Sequence, residues 1–74
     1  MKIEMRLFAT FREKHQKVIP MEMPEGTAVV AFIDSLDIAH NEIAILLVNG
    51  RHATLDHVLK DGDVVSLFPP VGGG

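Results

Sequence analysis

The chain ends in a segment whose chemistry rests on the main chain rather than on side chains. The segment contains two prolines, one valine and three glycines: Pro69, Pro70, Val71, Gly72, Gly73 and Gly74. Glycines have nothing to pack and lose much conformational entropy on ordering, so residues 71–74 are predicted to project into solvent as a flexible tail. Fully extended, four residues reach roughly 13–14 Å. Such a tail can enter a narrow channel that any Cβ atom would block.

The tail ends in the Gly74 carboxylate, which carries no steric hindrance. It can attack an activated phosphate, become an acyl adenylate and then accept a nucleophilic sulfur. Covalent activation of this kind divides one difficult step into two easier ones. The alternative is that the glycines are a frayed terminus or a cloning remnant, because terminal glycines also occur by chance. Spacing alone leaves both interpretations open.

A second candidate site is a pair of aromatic residues on the outer face of a predicted sheet. Alternation in the first predicted strand places Phe8 on the face away from its aliphatic residues. The same pattern in the last strand places Phe68 away from Val65 and Leu67. If the helix covers the aliphatic face, both rings lie on the open side and form a patch for a protein partner. The alternatives are that each ring stands alone, or that Phe8 lies under a loop.

Side chains that could form an internal active site are missing from the pattern. The four histidines, His15, His40, His52 and His57, lack metal-ligand spacing, and the chain has no cysteine to join them. No glycine-rich loop links a strand to a helix, and no serine has a nucleophile-elbow context. We therefore predict no metal site and no intrinsic catalytic residue. A chain of this kind suits a carrier better than an enzyme.

Composition narrows the class of partner. With 74 residues the chain is one domain at most, and an apolar fraction of 47% is ample for a core. The net charge of −3 disfavours nucleic acid and anionic membrane as partners. The apolar runs are too short to span a bilayer, and the amino end alternates instead of forming a signal-peptide core. We expect a soluble, cytoplasmic protein.

Hydrophobic periodicity predicts five strands and one helix. The strands are predicted at residues 2–8, 18–23, 43–48, 51–54 and 64–68, with a polar turn at 12–17 before the second. Pro20 lacks an amide donor, which places the second strand at a sheet edge. Residues 43–48 form an uninterrupted apolar run, which predicts a strand buried on both faces. Asn49-Gly50 predicts a hairpin.

The helix is predicted from a change of period. Four apolar residues fall at helical spacing, and Thr27 precedes them as the predicted N-cap; the four are Val29, Phe32, Ile33 and Leu36. Residues 40–42 are predicted as a loop and 60–63 as a turn. Leu55, Val58 and Leu59 are expected to cover one end of the core. The fold class is therefore α+β, with one main helix across a mixed sheet of four to five strands over residues 1–70.

Several segments resemble the MoaD/ThiS family of sulfur carriers, and in particular the small subunits of molybdopterin synthase. They are the hairpin at Leu47-Val48-Asn49-Gly50-Arg51, the Asp61-Gly62-Asp63 turn, the ending Phe68-Pro69-Pro70-Val71-Gly72-Gly73-Gly74, and the opening stretch from Leu7 to Glu13. The likeness covers essentially the whole chain in element order. It implies a β-grasp, ubiquitin-like fold with the first and last strands adjacent and parallel. Phe8 would then lie beside Phe68.

The resemblance also implies the chemistry. An adenylating enzyme of the MoeB/ThiF type would use ATP on the Gly74 carboxylate, and persulfide sulfur would convert it to a thiocarboxylate. The large subunit of molybdopterin synthase would receive Gly72, Gly73 and Gly74 in its active site, for molybdenum cofactor synthesis. The carrier itself would bind no cofactor. The implied partner surface adds Arg12, His52, Pro69, Pro70 and Val71 to the two phenylalanines.

Two features depart from the molybdopterin type, and they keep alternatives open. His52 stands where that patch usually has an aliphatic residue, and the chain is short between Leu36 and Ile43. One alternative is a thiamine-type carrier that feeds a thiazole synthase. Another is a protein modifier joined to lysines through Gly74. The last is a non-covalent adaptor whose tail is idle.

Overall fold

A five-stranded sheet crossed on one face by a short helix forms the described part of the chain. The computed structural model describes residues 1–13 and 16–70, without the side chains of residues 12 and 13. The elements are β1 (Lys2–Leu7), a 3-10 helix (Ala9–Glu13), β2 (Val18–Glu22), α1 (Val29–Ser35), a 3-10 helix (His40–Glu42), β3 (Ile45–Val48), β4 (Arg51–His52) and β5 (Val64–Phe68).

The sheet has the strand order β2-β1-β5-β3-β4. Its two central strands, β1 and β5, are parallel, with Met5 beside Val65, while the other neighbours are antiparallel. Both residues are 0% exposed, because the helix packs against the face of the central strands that carries them. The predicted mixed sheet and the predicted parallel contact of first and last strands are confirmed.

The helix contributes the centre of the core. Val29, Phe32 and Ile33 are each 0% exposed and pack in one cluster with Met5 and Leu7 of β1. Fully burying an aliphatic or aromatic side chain of this size contributes roughly 1.5–3 kcal/mol. The apolar stripe predicted at helical spacing is therefore the face that holds helix and sheet together.

The predicted N-cap at Thr27 is wrong. Ala28 occupies the N-cap position and has no capping side chain, while the Thr27 hydroxyl donates to the Pro24 carbonyl at 2.6 Å. The first helical amides find their acceptors elsewhere. Val29 N–H donates to the His57 carbonyl at 2.9 Å and Val30 N–H to the Leu55 carbonyl at 3.0 Å. Since a distant loop satisfies these donors, a local side-chain cap is not needed.

The third strand corrects another prediction. The apolar run at residues 43–48 is not buried on both faces: β3 begins at Ile45, which is 39% exposed. Leu46 and Val48 are buried, whereas Leu47 is only half-buried. The helix covers one face of the sheet, so alternate residues of this strand point away from the core.

The edges and turns follow local chemistry closely. The second strand, β2, is an outer strand, so Pro20 lies at an edge as predicted. The predicted hairpin at Asn49-Gly50 is confirmed, with φ values of 52° and 81° that fit a type I′ turn. The Asn49 amide also ties the hairpin to β5, because its oxygen accepts from Val64 N–H at 2.9 Å and its nitrogen donates to Asp63 at 2.8 Å.

Four smaller predictions need correction. Part of the predicted turn at 12–17 belongs to the 3-10 helix Ala9–Glu13, and the loop at 40–42 is also a 3-10 turn. The strand predicted at 51–54 is limited to Arg51–His52, because Ala53 leaves β4 while still donating to the Leu46 carbonyl. Val58 is 52% exposed and does not cover the core, whereas Leu59 is 2% exposed and does.

Candidate partner interface

Two aromatic rings from the central strands stack on the face opposite the helix. The ring centroids of Phe8 and Phe68 lie 4.3 Å apart, and their planes differ by 10°. Phe8 follows directly on β1, and its N–H donates to the Leu67 carbonyl of β5 at 3.2 Å. The parallel pairing of these strands therefore brings two rings that are 60 residues apart in the sequence into contact. Their predicted juxtaposition is confirmed.

The stack belongs to a larger apolar surface. Ile45 lies directly opposite Phe68 in the β3–β5 pairing, and Leu47 lies two residues further along the same face. We call Phe8, Ile45, Leu47 and Phe68 the open-face patch. Ile45 is 39% exposed, and the other three side chains are half-buried. A contiguous apolar surface of this kind is a recognised mark of a protein-binding site.

Polar and charged side chains border the open-face patch. Arg6 lies beside Ser66 of β5, and its Nε donates to Glu4 on the same strand. An exposed ion pair of this kind contributes only about 0–1 kcal/mol to stability. On the other side, His52 lies opposite Leu47 and is exposed. The arrangement is an apolar centre with a polar rim, which is common at protein–protein interfaces.

The C-terminal tail begins at the open-face patch. The last strand, β5, ends at Phe68, Pro69 is half-buried and Pro70 is exposed. The strand stops here because neither proline can donate to a sheet ladder. The tail itself, residues 71–74, lies outside the described residues. Its predicted flexibility therefore stays a prediction. The last described residue before the tail, Pro70, is thus two residues beyond the stacked Phe68.

The predicted site residues divide into three groups. Phe8 and Phe68 are in contact, and His52 lies on the same face at the edge strand. Arg12 belongs to the 3-10 helix that follows β1, but its side chain lies outside the description. The prolines connect the patch to the tail. The role of all these residues in binding a partner stays a prediction.

Sequence reasoning missed two members of the open-face patch, Ile45 and Leu47. Both lie in the apolar run, whose lack of alternation predicts burial on both faces and so hides their exposure. A usable signal is the neighbouring strand: in β5 the same face carries Ser66, a polar residue that is unusual for a doubly covered strand. Pairing the two strands by their polar positions would have placed Leu47 outside.

The histidines and the helices give two further findings. His40 Nε2 lies 2.7 Å from an Asp34 carboxylate oxygen, and His15 lies outside the described residues. Among the side chains that the structure describes, those of residues 1–11 and 16–70, no three His, Asp or Glu come together as a metal site would require. In the same part of the chain, every helix is too short to cross a membrane.

Comparison with known proteins identifies the class. The model of the ThiS family matches residues 5–74, which include the whole C-terminal tail. The chain is also 37% identical to small archaeal modifier protein 3 of Haloferax volcanii, with both chains covered completely. The chain therefore belongs to the ThiS family, a group of small ubiquitin-like sulfur carriers and modifiers.

Solved structures confirm the β-grasp fold. The crystal structure of SAMP1 from Haloferax volcanii matches with a TM-score of 0.85 and 27% identity, over 100% of both chains. Subunit 1 of a molybdopterin converting factor, as assigned in Pyrococcus furiosus, gives a TM-score of 0.77 and 34% identity, over 95% of this chain and 98% of that one.

A further neighbour was solved together with its partner. It comes from the complex of subunits 1 and 2 of the molybdopterin-converting factor of Helicobacter pylori. The match has a TM-score of 0.64 and 26% identity and covers 100% of both chains. The same fold therefore occurs both in proteins named as modifiers and in proteins that form complexes with a second subunit.

Proposed function

We propose that this chain is a sulfur carrier that acts as the small, non-catalytic subunit of a molybdopterin-synthase-like complex. Its Gly74 carboxylate attacks the α-phosphate of ATP in an adenylating enzyme, and pyrophosphate leaves. A persulfide sulfur then attacks the acyl carbon, and AMP leaves. A thiol finally cleaves the sulfur–sulfur bond, which leaves a thiocarboxylate on Gly74 and a disulfide on the donor side.

The observation that carries this proposal is that β5, the strand that leads into the tail, ends in the open-face patch. The family match extends to Gly74, and β5 delivers the tail from a strand whose last residue, Phe68, is part of an apolar surface. A partner that covers the patch would therefore hold the root of the tail next to its own surface. Residues 71–74 could then extend roughly 13–14 Å into that partner's active site.

Two comparisons support a large synthase subunit as the partner. The Pyrococcus furiosus relative is named as subunit 1 of a molybdopterin converting factor, and the Helicobacter pylori neighbour is in complex with subunit 2. Burial of the open-face patch would supply the apolar centre of such an interface. The polar rim, which includes Arg6 and His52, would set its orientation.

A reconstitution experiment tests the proposal. The thiocarboxylated chain is mixed with a large molybdopterin synthase subunit and the cyclic pyranopterin precursor, and dithiolene product is measured by mass spectrometry. We expect product to form in proportion to the thiocarboxylate consumed. Product formation with a thiazole synthase and its substrate, in place of the molybdopterin components, would instead assign the chain to the thiamine pathway.

Protein modification is a second candidate function, and one observation favours it. The Haloferax volcanii relative, 37% identical over the whole of both chains, is named as a modifier protein. The same activated Gly74 would then meet a lysine amine instead of a sulfur nucleophile, and AMP would leave as an isopeptide bond forms. Blots of cell extract for conjugates of higher mass, compared between the intact chain and a chain without Gly74, distinguish this function from sulfur transfer.

A further inference from the structure

A cleft lies at the end of the sheet from which β5 begins, away from the tail. It occupies about 510 Å³ between the β3–β4 hairpin and the loop that precedes β5. Asn49 and Asp63, which line it, flank Val64 at the start of β5, whereas the tail leaves from the other end. Four steps of roughly 3.3 Å each separate these two ends of the strand, about 13 Å in total.

The rim of the cleft collects basic side chains from two separate segments. Arg51 and His52 come from β4, and His57 and Lys60 come from the loop that follows. Among the described side chains, those of residues 1–11 and 16–70, ion pairs form only between Arg6 and Glu4 and between His40 and Asp34. The Arg51 guanidinium and the Lys60 ammonium therefore have no carboxylate partner within that part of the chain.

The one acidic residue in the lining is already held by its own turn. One oxygen of Asp63 accepts from the Asn49 amide at 2.8 Å, and the other accepts from the Lys60 backbone N–H at 2.8 Å. These bonds fix the carboxylate against the turn and leave the two cationic groups on the rim. The local excess of basic groups contrasts with the net charge of −3 for the whole chain.

The cleft also has an apolar component. Val48 lies in its lining with 7% exposure, and Val58 borders it with 52% exposure, the largest of any large hydrophobic side chain in the described residues. The exposed position of Val58 follows from its pairing with Ala28, which orders the loop backbone but leaves the side chain outside the core. A surface with cations around apolar side chains is complementary to a peptide segment that carries carboxylates on either side of an apolar residue.

We infer that this basic cleft is a second docking site, which binds an acidic peptide segment of a partner protein through Arg51, Lys60 and Val58. Carboxylates of the segment meet Arg51 and Lys60, whose charge-assisted hydrogen bonds are stronger than neutral ones. An apolar residue between the carboxylates covers Val58. Because the site lies at the opposite end of β5 from the tail, a partner can hold the chain here while the tail is engaged elsewhere. The inference does not depend on the chemistry of Gly74.

A titration followed by nuclear magnetic resonance tests the site. The probe is a blocked pentapeptide with a central leucine between two glutamates and two aspartates, added to the full ¹⁵N-labelled chain at low salt. We expect amide shifts concentrated at residues 48–60, which weaken as salt is added because exposed charges are screened. The same peptide with glutamine and asparagine in place of its acids is the first control, and it should leave the spectrum unchanged.

Matched lysine variants locate the contact. Lys60→Gln should lower the peptide affinity about tenfold, the effect of losing one charge-assisted hydrogen bond. Lys17→Gln removes the same charge from an exposed residue just before β2, at the other end of the sheet, and should change the affinity less than about twofold. Val58→Ser tests the apolar contact and should also weaken binding. Preserved spectra of the free variants show that each one is folded.

Three results would overturn the inference. Absence of shifts at residues 48–60 would show that the peptide does not bind in the cleft. Equal losses of affinity in Lys60→Gln and Lys17→Gln would show that the peptide is held only by general charge attraction. Inorganic phosphate is the third arm of the experiment. If phosphate alone reproduced the peptide's shifts at the same concentration, the cleft would be a small-anion site instead of a docking site for a protein segment.

Discussion

The two faces of the sheet are built from similar residues but stand in different surroundings. On the helix side Leu7, Val65 and Leu67 are 0% exposed. On the other side Phe8 and Phe68 are only half-buried, and Ile45 is 39% exposed. Adjacent residues of one strand, Leu46 and Leu47, divide in the same way, because successive side chains of a strand point to opposite faces.

The difference teaches that apolar content alone does not define the core. One short helix, α1 (Val29–Ser35), can cover only one face of five strands. Apolar residues on the other face remain in contact with water and contribute little to folding. Burial of such a patch against a partner would be favourable. The core face should therefore control stability, and the open face should control binding.

The largest expected effect separates two phenylalanines. Phe32→Ala removes a ring that is 0% exposed and should lower the free energy of unfolding by about 3–5 kcal/mol. Phe68→Ala removes a half-buried ring and one aromatic stack, which should cost about 1–2 kcal/mol. Urea unfolding followed by circular dichroism measures both. Equal losses would mean that the open face is also part of the core.

Two neighbouring leucines sharpen the comparison within one strand. Leu46→Ala leaves a cavity in the core and should lower the free energy of unfolding by about 2–4 kcal/mol. Leu47→Ala, on the open face, should cost under about 1 kcal/mol because water already contacts that side chain. The same unfolding experiment applies. A larger loss for Leu47→Ala would reverse the assignment of the two faces.

Binding should show the opposite ranking. Phe68→Ala should weaken binding to the large synthase subunit about 10- to 100-fold, as for other central aromatic residues of interfaces. Val18→Ala is the matched control for a rim position, since Val18 is 40% exposed and lies on the outer strand β2 opposite the rim residue Arg6, where truncation has little effect on binding. Calorimetric titration should find less than about a twofold change for this control. Equal losses of affinity in the two variants would show that the open-face patch is not the centre of the interface.

The smallest expected effect concerns the polar rim. His52→Leu extends the apolar surface beside Leu47 and should raise affinity for a molybdopterin-type partner about two- to fivefold, through burial of additional apolar area. The same calorimetric titration measures the change in affinity. A loss of affinity in His52→Leu would show that the imidazole makes a specific polar contact with its partner.

The sequence was sufficient for elements whose signals are local. The last strand, the Asn49-Gly50 hairpin and the helical stripe all follow from periodicity and turn chemistry, and Pro20 located an edge through its missing amide. The contact between Phe8 and Phe68 required more. Parity placed each ring on a face, but the parallel pairing that joins them came from the family resemblance.

The errors have a common physical origin in tertiary contacts. The prediction of Thr27 as a cap could not include the carbonyls of residues 55 and 57, which satisfy the first amides of the helix. An uninterrupted apolar run cannot specify which of its faces is covered, so the exposed side of Ile45 and Leu47 cannot be predicted from it. The sequence analysis does not predict the basic cleft, because only the fold shows that Arg51 and Lys60 line the same cavity as Val48 and Asp63.

The central claim is that Gly74 is loaded with sulfur by another protein, and intact-mass measurement tests it most directly. The chain is incubated with a ThiF-type activating enzyme, ATP and a persulfide sulfur source, beside a variant that lacks Gly73 and Gly74. The account predicts that the mass of the full chain rises by the difference between one sulfur and one oxygen atom, on its C-terminal peptide, while the shortened variant keeps its mass. The activating enzyme's own carrier protein is the positive control. The account would be contradicted if the shortened variant gained the same mass, or if the full chain gained none while the control carrier did.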